Sequence, residues 1–261
     1  QPVADGTTVH EPARPLADRL AELSFGIRVG AVRDFLREKA QAVVDAPYQC
    51  ERFADLNTQA EQVLVQVTQP LPPFVNNFRG IHLSIKDLVF AEGQDLPKDV
   101  RGHLAVHVEQ PEMFVGMAQM FLPDLSNLAL TAGDPPVRVP ESLMPATGMV
   151  AYAAMSKDAI GLSVGAGEEQ GLPAFLDRDP GPEGMFLSAS YDTAAYLDLT
   201  SRYTAERKRG QYDEEYEAAA DAARAIAEAG RAAFRAAADR SLTTLRFGAD
   251  GLVIDGRITF K

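Results

Sequence analysis

Residues 242–260 read LTTLRFGADGLVIDGRITF. Two β-prone runs, 242–247 and 252–260, flank a Gly-Ala-Asp-Gly stretch, and this combination is typical of a β-hairpin. A hairpin pairs its two strands antiparallel. The end of the chain therefore predicts an antiparallel sheet, not the parallel sheet that a regular strand–helix–strand alternation would indicate.

Two further hairpins are predicted upstream. Residues 127–139 contain two β-prone runs around the Gly-Asp-Pro-Pro stretch at 133–136. Residues 150–155 face 160–164 across Ser-Lys-Asp. Both patterns favour short antiparallel pairs in the middle of the chain.

A second pattern occurs four times: a short strand-like run leads almost directly into an amphipathic helix. Strands, hairpins and helices are thus interleaved. The sequence predicts a single α+β domain over 12–261, with a largely antiparallel sheet and helices packed on one face. Residues 1–11 show no periodicity and are expected to form a flexible lead. The four strand and helix pairs are 23–29 with 32–44, 103–108 with 111–122, 160–164 with 168–176, and 185–190 with 193–203.

A long Ala-rich helix is predicted from Tyr212 to Asp239, directly before the terminal hairpin. Its acidic residues come first and its arginines last, which complements the helix dipole. One stripe of the helix carries mostly small side chains, so we expect close packing against the sheet or against another helix. That stripe is Tyr212, Tyr216, Ala219, Ala223, Ile226, Gly230 and Phe234.

Charge excludes one class of partner. The 261 residues carry a formal net charge of −12. Such a chain repels phosphate backbones, and no dense basic stretch offsets that repulsion, so nucleic-acid binding is not expected. No apolar run approaches the roughly 20 residues that a membrane span needs.

Cys50 is the only cysteine of the chain, which excludes an internal disulfide and a cysteine-based metal site. The start at Gln1 suggests a processed product. Together with the antiparallel, loop-rich pattern, these features favour an extracytoplasmic location in the periplasm or cell envelope.

Residues 161–165, GLSVG, match the G-x-S-x-G pattern of a hydrolase nucleophile elbow, with Ser163 as the nucleophile. In such hydrolases the catalytic histidine follows the serine along the chain. Here His10, His82, His103 and His107 all precede it. The pattern is therefore a weak indication of a hydrolase.

Histidine spacing provides a candidate metal site. His103 and His107 are four residues apart, but on a strand their side chains would lie about 13 Å apart. A hairpin partner strand with His82 could instead bring His82 near His107 and Glu109. Polar residues on the solvated face of an antiparallel sheet need no function, and we expect no metal or other cofactor.

The most suggestive feature is a methionine-rich helix. Met113, Met117 and Met120 are spaced at i, i+4 and i+7, and Phe121 lies beside them. Such a flexible, polarisable face fits an adaptable groove, although a core helix on the sheet has the same pattern.

Two hypotheses follow from these patterns. The first is a non-catalytic cell-envelope domain that binds an apolar ligand or a protein partner near the methionine-rich helix. The second is a hydrolase that uses His82, His107 or Ser163, with or without a metal. The first is favoured because each catalytic pattern lacks a necessary member.

Overall fold

The computed structural model describes residues 19–90, 97–121, 123–144, 148–178, 185–206, 214–248 and 251–261. The flexible lead expected at 1–11 lies outside these residues. The strands are β1 (Ala21–Gly26), β2 (Phe78–Phe90), β3 (Pro97–Val108), β4 (Val137–Arg138), β5 (Ala151–Met155), β6 (Ala159–Val164), β7 (Met185–Asp192), β8 (Ala238–Gly248) and β9 (Gly251–Phe260). The α-helices are α1 (Val29–Asp45), α2 (Ala54–Thr68), α3 (Pro73–Asn76), α4 (Pro111–Phe121), α5 (Leu172–Leu176), α6 (Thr193–Glu206) and α7 (Glu214–Ala237).

The strands form one nine-stranded sheet in the order β4-β5-β6-β3-β2-β1-β7-β8-β9. Every neighbouring pair in it is antiparallel. The predicted α+β class with an antiparallel sheet is confirmed.

The topology contains an internal repeat. In each half of the chain one strand, two long helices and a strand hairpin follow one another: β1, α1, α2, β2 and β3 in the first half, and β7, α6, α7, β8 and β9 in the second. The first half has in addition the four-residue α3 before β2. The two leading strands pair antiparallel in the middle of the sheet. The six strands therefore run symmetrically outward from that pair, with β3 on one side and β9 on the other.

The two faces of the sheet differ in composition. On one, which we call the polar face, small, hydroxyl, histidine and glutamate side chains lie opposite one another across the strands, and all residues in the rows below are buried. Its first row is Ser163, His103, Ser84, Glu22 and Ser190. Its second row is Gly161, Ala105, His82, Ser24, Ser188 and Thr244.

The other face, which we call the apolar face, carries large aliphatic and aromatic side chains. It is only half-buried over most of its width, and Leu23 is 39% exposed. One continuous row crosses it from β6 to β9. That row is Ile160, Val106, Ile81, Phe25, Leu187, Leu245 and Ile254.

Different segments cover the two faces. A 3-10 turn at Glu168–Gly171 and α5 lie on the polar face, where Leu172, Phe175 and Leu176 pack on Ala105, Ala154 and Ala159. Residues 125–144 cover only the β5–β6 end of the apolar face, through a cluster that includes Leu128 and Val139. The prediction that helices pack on one face is confirmed only in part, because α5 lies on the polar face and the 3-10 turns within 125–144 lie on the apolar face.

The four strand and helix pairs of the sequence prediction are present, as are the hairpins β5–β6 and β8–β9. The predicted hairpin over 127–139 is wrong. Only Val137–Arg138 forms a strand there, and it pairs with β5. Ala132, in the expected first strand, makes an isolated parallel bridge with Met155, so both runs contact β5 and do not pair with each other.

The long C-terminal helix ends at Ala237, two residues earlier than predicted, and β8 follows at once. Its expected close packing is wrong at Gly230, because a methyl group there would have no neighbour within 4 Å. Ile226 of the same stripe is 74% exposed. Tyr212 lies outside the described residues, and so do the side chains of Tyr216, Ala219 and Ala223. In the described part of the chain, no helix is long and apolar enough to cross a bilayer.

Candidate functional site

Glu22 is the centre of a buried charge cluster on the polar face. The strand β1 places its carboxylate beneath α5, where Oε1 accepts hydrogen bonds from His82 Nε2 at 2.8 Å and from Arg19 at 3.0 Å. Arg178, just after α5, donates to the same oxygen. Burial alone raises the pKa of the Glu22 carboxyl. The His82 hydrogen bond and the charges of Arg178, His82 and Arg19 outweigh burial and lower that pKa below its ordinary value.

A second cluster surrounds Glu168 at the start of the 3-10 turn. Lys86 of β2 and Arg101 of β3 each approach its carboxylate at 2.8 Å. Burial raises the pKa of Glu168, but the hydrogen bonds from Lys86 and Arg101 lower it overall. His103 Nε2 lies 2.8 Å from the Glu168 carbonyl oxygen. A carbonyl only accepts, so this nitrogen carries the hydrogen. Burial of the ring lowers the pKa of His103 despite that bond, so the ring is neutral near pH 7.

Phe175 of α5 joins the two clusters. Its ring stacks on His82 with centroids 4.3 Å apart and on His103 with centroids 5.1 Å apart. The Arg178 guanidinium lies over the same ring, 5.4 Å from its centroid. The segment 168–178 is thus attached to the sheet at its first residue, at its last residue and by one ring between them.

Several polar atoms beneath this segment have no hydrogen-bond partner among the described residues. They are Glu22 Oε2 and the hydroxyl oxygens of Ser24, Ser84 and Ser188. These side chains are at most 2% exposed. Burying such groups unpaired is costly, so the charged clusters and the α5 contacts must offset that cost.

The predicted His82–His107–Glu109 group does not assemble. His82 and His107 do lie on the same face, since Ala105 and Gly80 are their respective partners across the β2–β3 ladder. However, His82 hydrogen-bonds to Glu22, and Glu109 accepts from Arg79. Within the described residues, no three His, Cys, Asp or Glu side chains gather as metal ligands. The expectation that this face is solvated is wrong, because α5 buries it.

Ser163 is not placed as a nucleophile. It lies within β6, one residue before the strand ends, and not on a strand-to-helix turn, and its hydroxyl donates to the Tyr152 carbonyl at 3.5 Å. His103 is its direct cross-strand partner, but both side chains are buried and the ring is bonded to the Glu168 carbonyl. A methyl group at Gly161 would meet Leu176 Cδ2 at 2.7 Å and Leu172 Cδ1 at 2.9 Å. This glycine of the motif therefore accommodates α5.

The geometry of the polar face suits anchoring α5 to the sheet better than catalysis on a bound substrate. A general base must reach a proton on a bound substrate. His82, Glu22 and Ser24 lie together on β1 and β2, yet each is at most 2% exposed and they lie under the 168–178 segment. A cleft of about 330 Å³ borders α5 and is lined by Ala132, Gly133, Asp134, Ala154, Met155, Ser156, Lys157, Pro173, Leu176 and Asp177.

The methionine-rich helix α4 lies beside the covered end of the apolar face. Gln119 donates to the carbonyl of Leu125, whose side chain packs in the Leu128 cluster. Met113 and Met117 are half-buried, whereas Met120 and Phe121 are 80% and 83% exposed. No α4 residue lines the 330 Å³ cleft. The end of α4 is thus an exposed apolar surface and does not border that cleft.

Sequence reasoning did not identify Glu22 or Glu168 as the centre of a buried charge cluster. A weak signal was present for the first, because Glu22 and Ser24 alternate with Ala21, Leu23 and Phe25. That alternation places a carboxylate on one face of the strand. It does not show that a residue 156 positions away supplies its partner, as Arg178 does.

No protein-family model matches this chain, and neither does any curated protein or solved structure.

Proposed function

We propose that this chain is a non-catalytic, extracytoplasmic domain that binds a protein partner through the apolar face of its sheet and the adjoining end of α4. The observation that carries the proposal is the distribution of burial across the sheet. Serine, histidine and glutamate side chains are buried, whereas leucine, isoleucine and phenylalanine side chains opposite them remain half-exposed. A large exposed apolar patch on a folded protein is typical of an interaction site.

A protein partner fits this surface better than a small apolar ligand. Small-molecule sites are concave and enclose most of their ligand. The apolar face is instead a broad sheet surface whose central row runs through β6, β3, β2, β1, β7, β8 and β9. Met120 and Phe121 at the end of α4 add side chains of the adaptable kind that interfaces use.

The experiment compares two matched substitutions. Leu23→Glu places a charge at the centre of the apolar face, and Val65→Glu places one on α2, where the side chain is 65% exposed. The wild-type chain is used as bait in an extract of its source organism, and each protein that it retains is purified. Titration calorimetry then measures the affinity of that protein for the wild type and for both variants.

The proposal predicts that Leu23→Glu weakens binding at least tenfold while Val65→Glu leaves it unchanged, with both variants folded by circular dichroism. Equal affinity for all three chains would place the partner elsewhere. Met120→Asp provides a second readout, with a smaller loss expected at the border of the surface.

The hydrolase hypothesis predicts different behaviour. An ester and phosphoester panel would show turnover that His82→Ala, His107→Ala or Ser163→Ala removes. The burial of all three side chains favours the binding hypothesis. Turnover that survives purification and disappears with one of these variants would replace it.

A further inference from the structure

The last strand, β9, lies at an open edge of the sheet. Among the described residues it pairs only with β8. Its side chains alternate: Leu252, Ile254, Ile258 and Phe260 continue the apolar face and are 45–65% exposed, whereas Val253, Asp255, Arg257 and Thr259 continue the polar face. An edge strand of this length with exposed apolar side chains is a template for adding another strand.

The internal repeat indicates what such an edge accepts. β3 occupies the position in the first half that β9 occupies in the second. The outer edge of β3 is filled by β6, which pairs with it antiparallel from Gly102 opposite Val164 to His107 opposite Ala159. The same place beside β9 therefore suits an antiparallel strand.

The sequence of β9 is complementary to itself when reversed. If Gly256 lies opposite Gly256 of another copy, Asp255 lies opposite Arg257, Ile254 opposite Ile258, and Leu252 opposite Phe260. Cross-strand pairs of opposite charge, of two β-branched residues, and of an aromatic with an aliphatic residue each stabilise an antiparallel ladder. Because the pairing is two-fold symmetric, each favourable pair occurs twice.

We propose that β9 pairs antiparallel with β9 of a second copy of this chain, centred on Gly256, to form a symmetric dimer. This register joins the apolar face of one copy to the apolar face of the other, and likewise the polar faces. It also matches the two Asp255 carboxylates to the two Arg257 guanidiniums. Each copy carries a formal net charge of −12, so the long-range repulsion between copies is offset locally by these pairs.

The register makes a specific prediction for charge reversal. Arg257→Asp would place two carboxylates opposite each other across the dimer, and Asp255→Arg would place two guanidiniums opposite each other. Each single variant of the full chain should therefore dimerise at least tenfold more weakly than the wild type in sedimentation equilibrium. The double variant Asp255→Arg with Arg257→Asp restores opposite charges and should dimerise like the wild type. An equimolar mixture of the two single variants should form mixed dimers.

Cysteine cross-linking tests the register directly. Cys50 is exposed, so the background is Cys50→Ser. A side chain at Gly256 meets nothing within 4 Å, so Gly256→Cys is tolerated and should form a disulfide between copies on mild oxidation. Leu252→Cys is the matched control, because residue 252 faces Phe260 in this register and should not cross-link to itself.

A wild-type chain that stays monomeric at 200 µM in ultracentrifugation overturns the proposal, as does a dimer that Arg257→Asp leaves intact. Efficient cross-linking through Leu252→Cys but not Gly256→Cys would overturn the register. The dimer does not depend on the proposed partner-binding function. Leu23→Glu should leave it unchanged, and Arg257→Asp should leave partner affinity unchanged.

Discussion

The two faces of the sheet reverse the usual relation between polarity and burial. The polar face is covered by a short segment, 168–178, that contributes Glu168, Phe175 and Arg178 to contacts with the strands. Among the described residues, the apolar face has a cluster of buried hydrophobic side chains only at its β5–β6 end. The comparison shows that the strands themselves do not decide which face is inside. The 168–178 segment decides which face is buried, because its charged side chains and its phenylalanine ring provide partners for the polar side chains of the strands.

The largest expected difference between the two faces is in the loss of stability that a leucine-to-alanine substitution causes. Leu172 is fully buried against the polar face, so Leu172→Ala should lower the free energy of unfolding by about 3 kcal/mol. Leu23→Ala on the half-exposed apolar face should cost about 1 kcal/mol or less. Urea denaturation followed by circular dichroism measures both. Equal losses would mean that the apolar face is as well packed as the polar one.

The second-largest expected effect is the loss of stability when the buried charge of Glu22 is removed. Glu22→Gln keeps the shape of the side chain but removes the charge that Arg19, Arg178 and His82 share. We expect a loss of about 2–3 kcal/mol, at the low end for a buried ion pair because the two arginines retain some contact with solvent. Glu61→Gln on exposed α2 is the control and should change stability by less than about 0.5 kcal/mol. A silent Glu22→Gln would show that α5 is held by apolar packing alone.

The free energy of unfolding should fall in two steps as the pH is lowered. His103 has a lowered pKa in the folded chain, so the unfolded chain takes up a proton first as the pH falls below the ordinary histidine value of 6.5. That linkage lowers the free energy of unfolding between pH 6.5 and the folded pKa of His103. Glu22 and Glu168 have lowered pKa values, so their stabilisation is present above the ordinary value of 4.5 and is lost as the pH falls through their folded pKa values.

Urea midpoints measured from pH 7 to pH 3 test this order. His103→Gln should remove the part of the first step that this ring contributes and leave the second in place. A first step of unchanged size in that variant would show that His103 does not cause it.

Much of the fold follows from the sequence, whereas the location of the core does not. The four strand and helix pairs and the terminal hairpin carry local signals of periodicity and turn chemistry. In β2, the alternation of Ile81, Leu83 and Ile85 with His82 and Ser84 also predicts two distinct faces. It does not reveal that the histidine side is buried, because the partner of His82 is 60 residues away and the lysine salt bridge to Glu168 joins segments even farther apart.

The contacts of the candidate site also cannot be predicted from local sequence patterns. The first glycine of the G-x-S-x-G match accommodates the close approach of Leu172 and Leu176. No periodicity of the 161–165 segment contains that information. The open edge of β9 is different, since its palindromic alternation of Leu252, Ile254, Ile258 and Phe260 is fully visible in the sequence. What the fold adds is that this strand lies last in the sheet.

The smallest predicted effect separates buried hydroxyl groups that have a hydrogen-bond partner from those that have none. The Ser24 hydroxyl has no hydrogen-bond partner among the described residues, so Ser24→Ala should change the free energy of unfolding by less than about 0.5 kcal/mol or increase it slightly. The Thr193 hydroxyl lies 3.1 Å from the Ser241 hydroxyl. Thr193→Val keeps the shape and leaves Ser241 unpaired, which should cost about 1–2 kcal/mol. If Ser24→Ala costs as much as Thr193→Val in the same urea titration, a buried water or another group must satisfy the Ser24 hydroxyl.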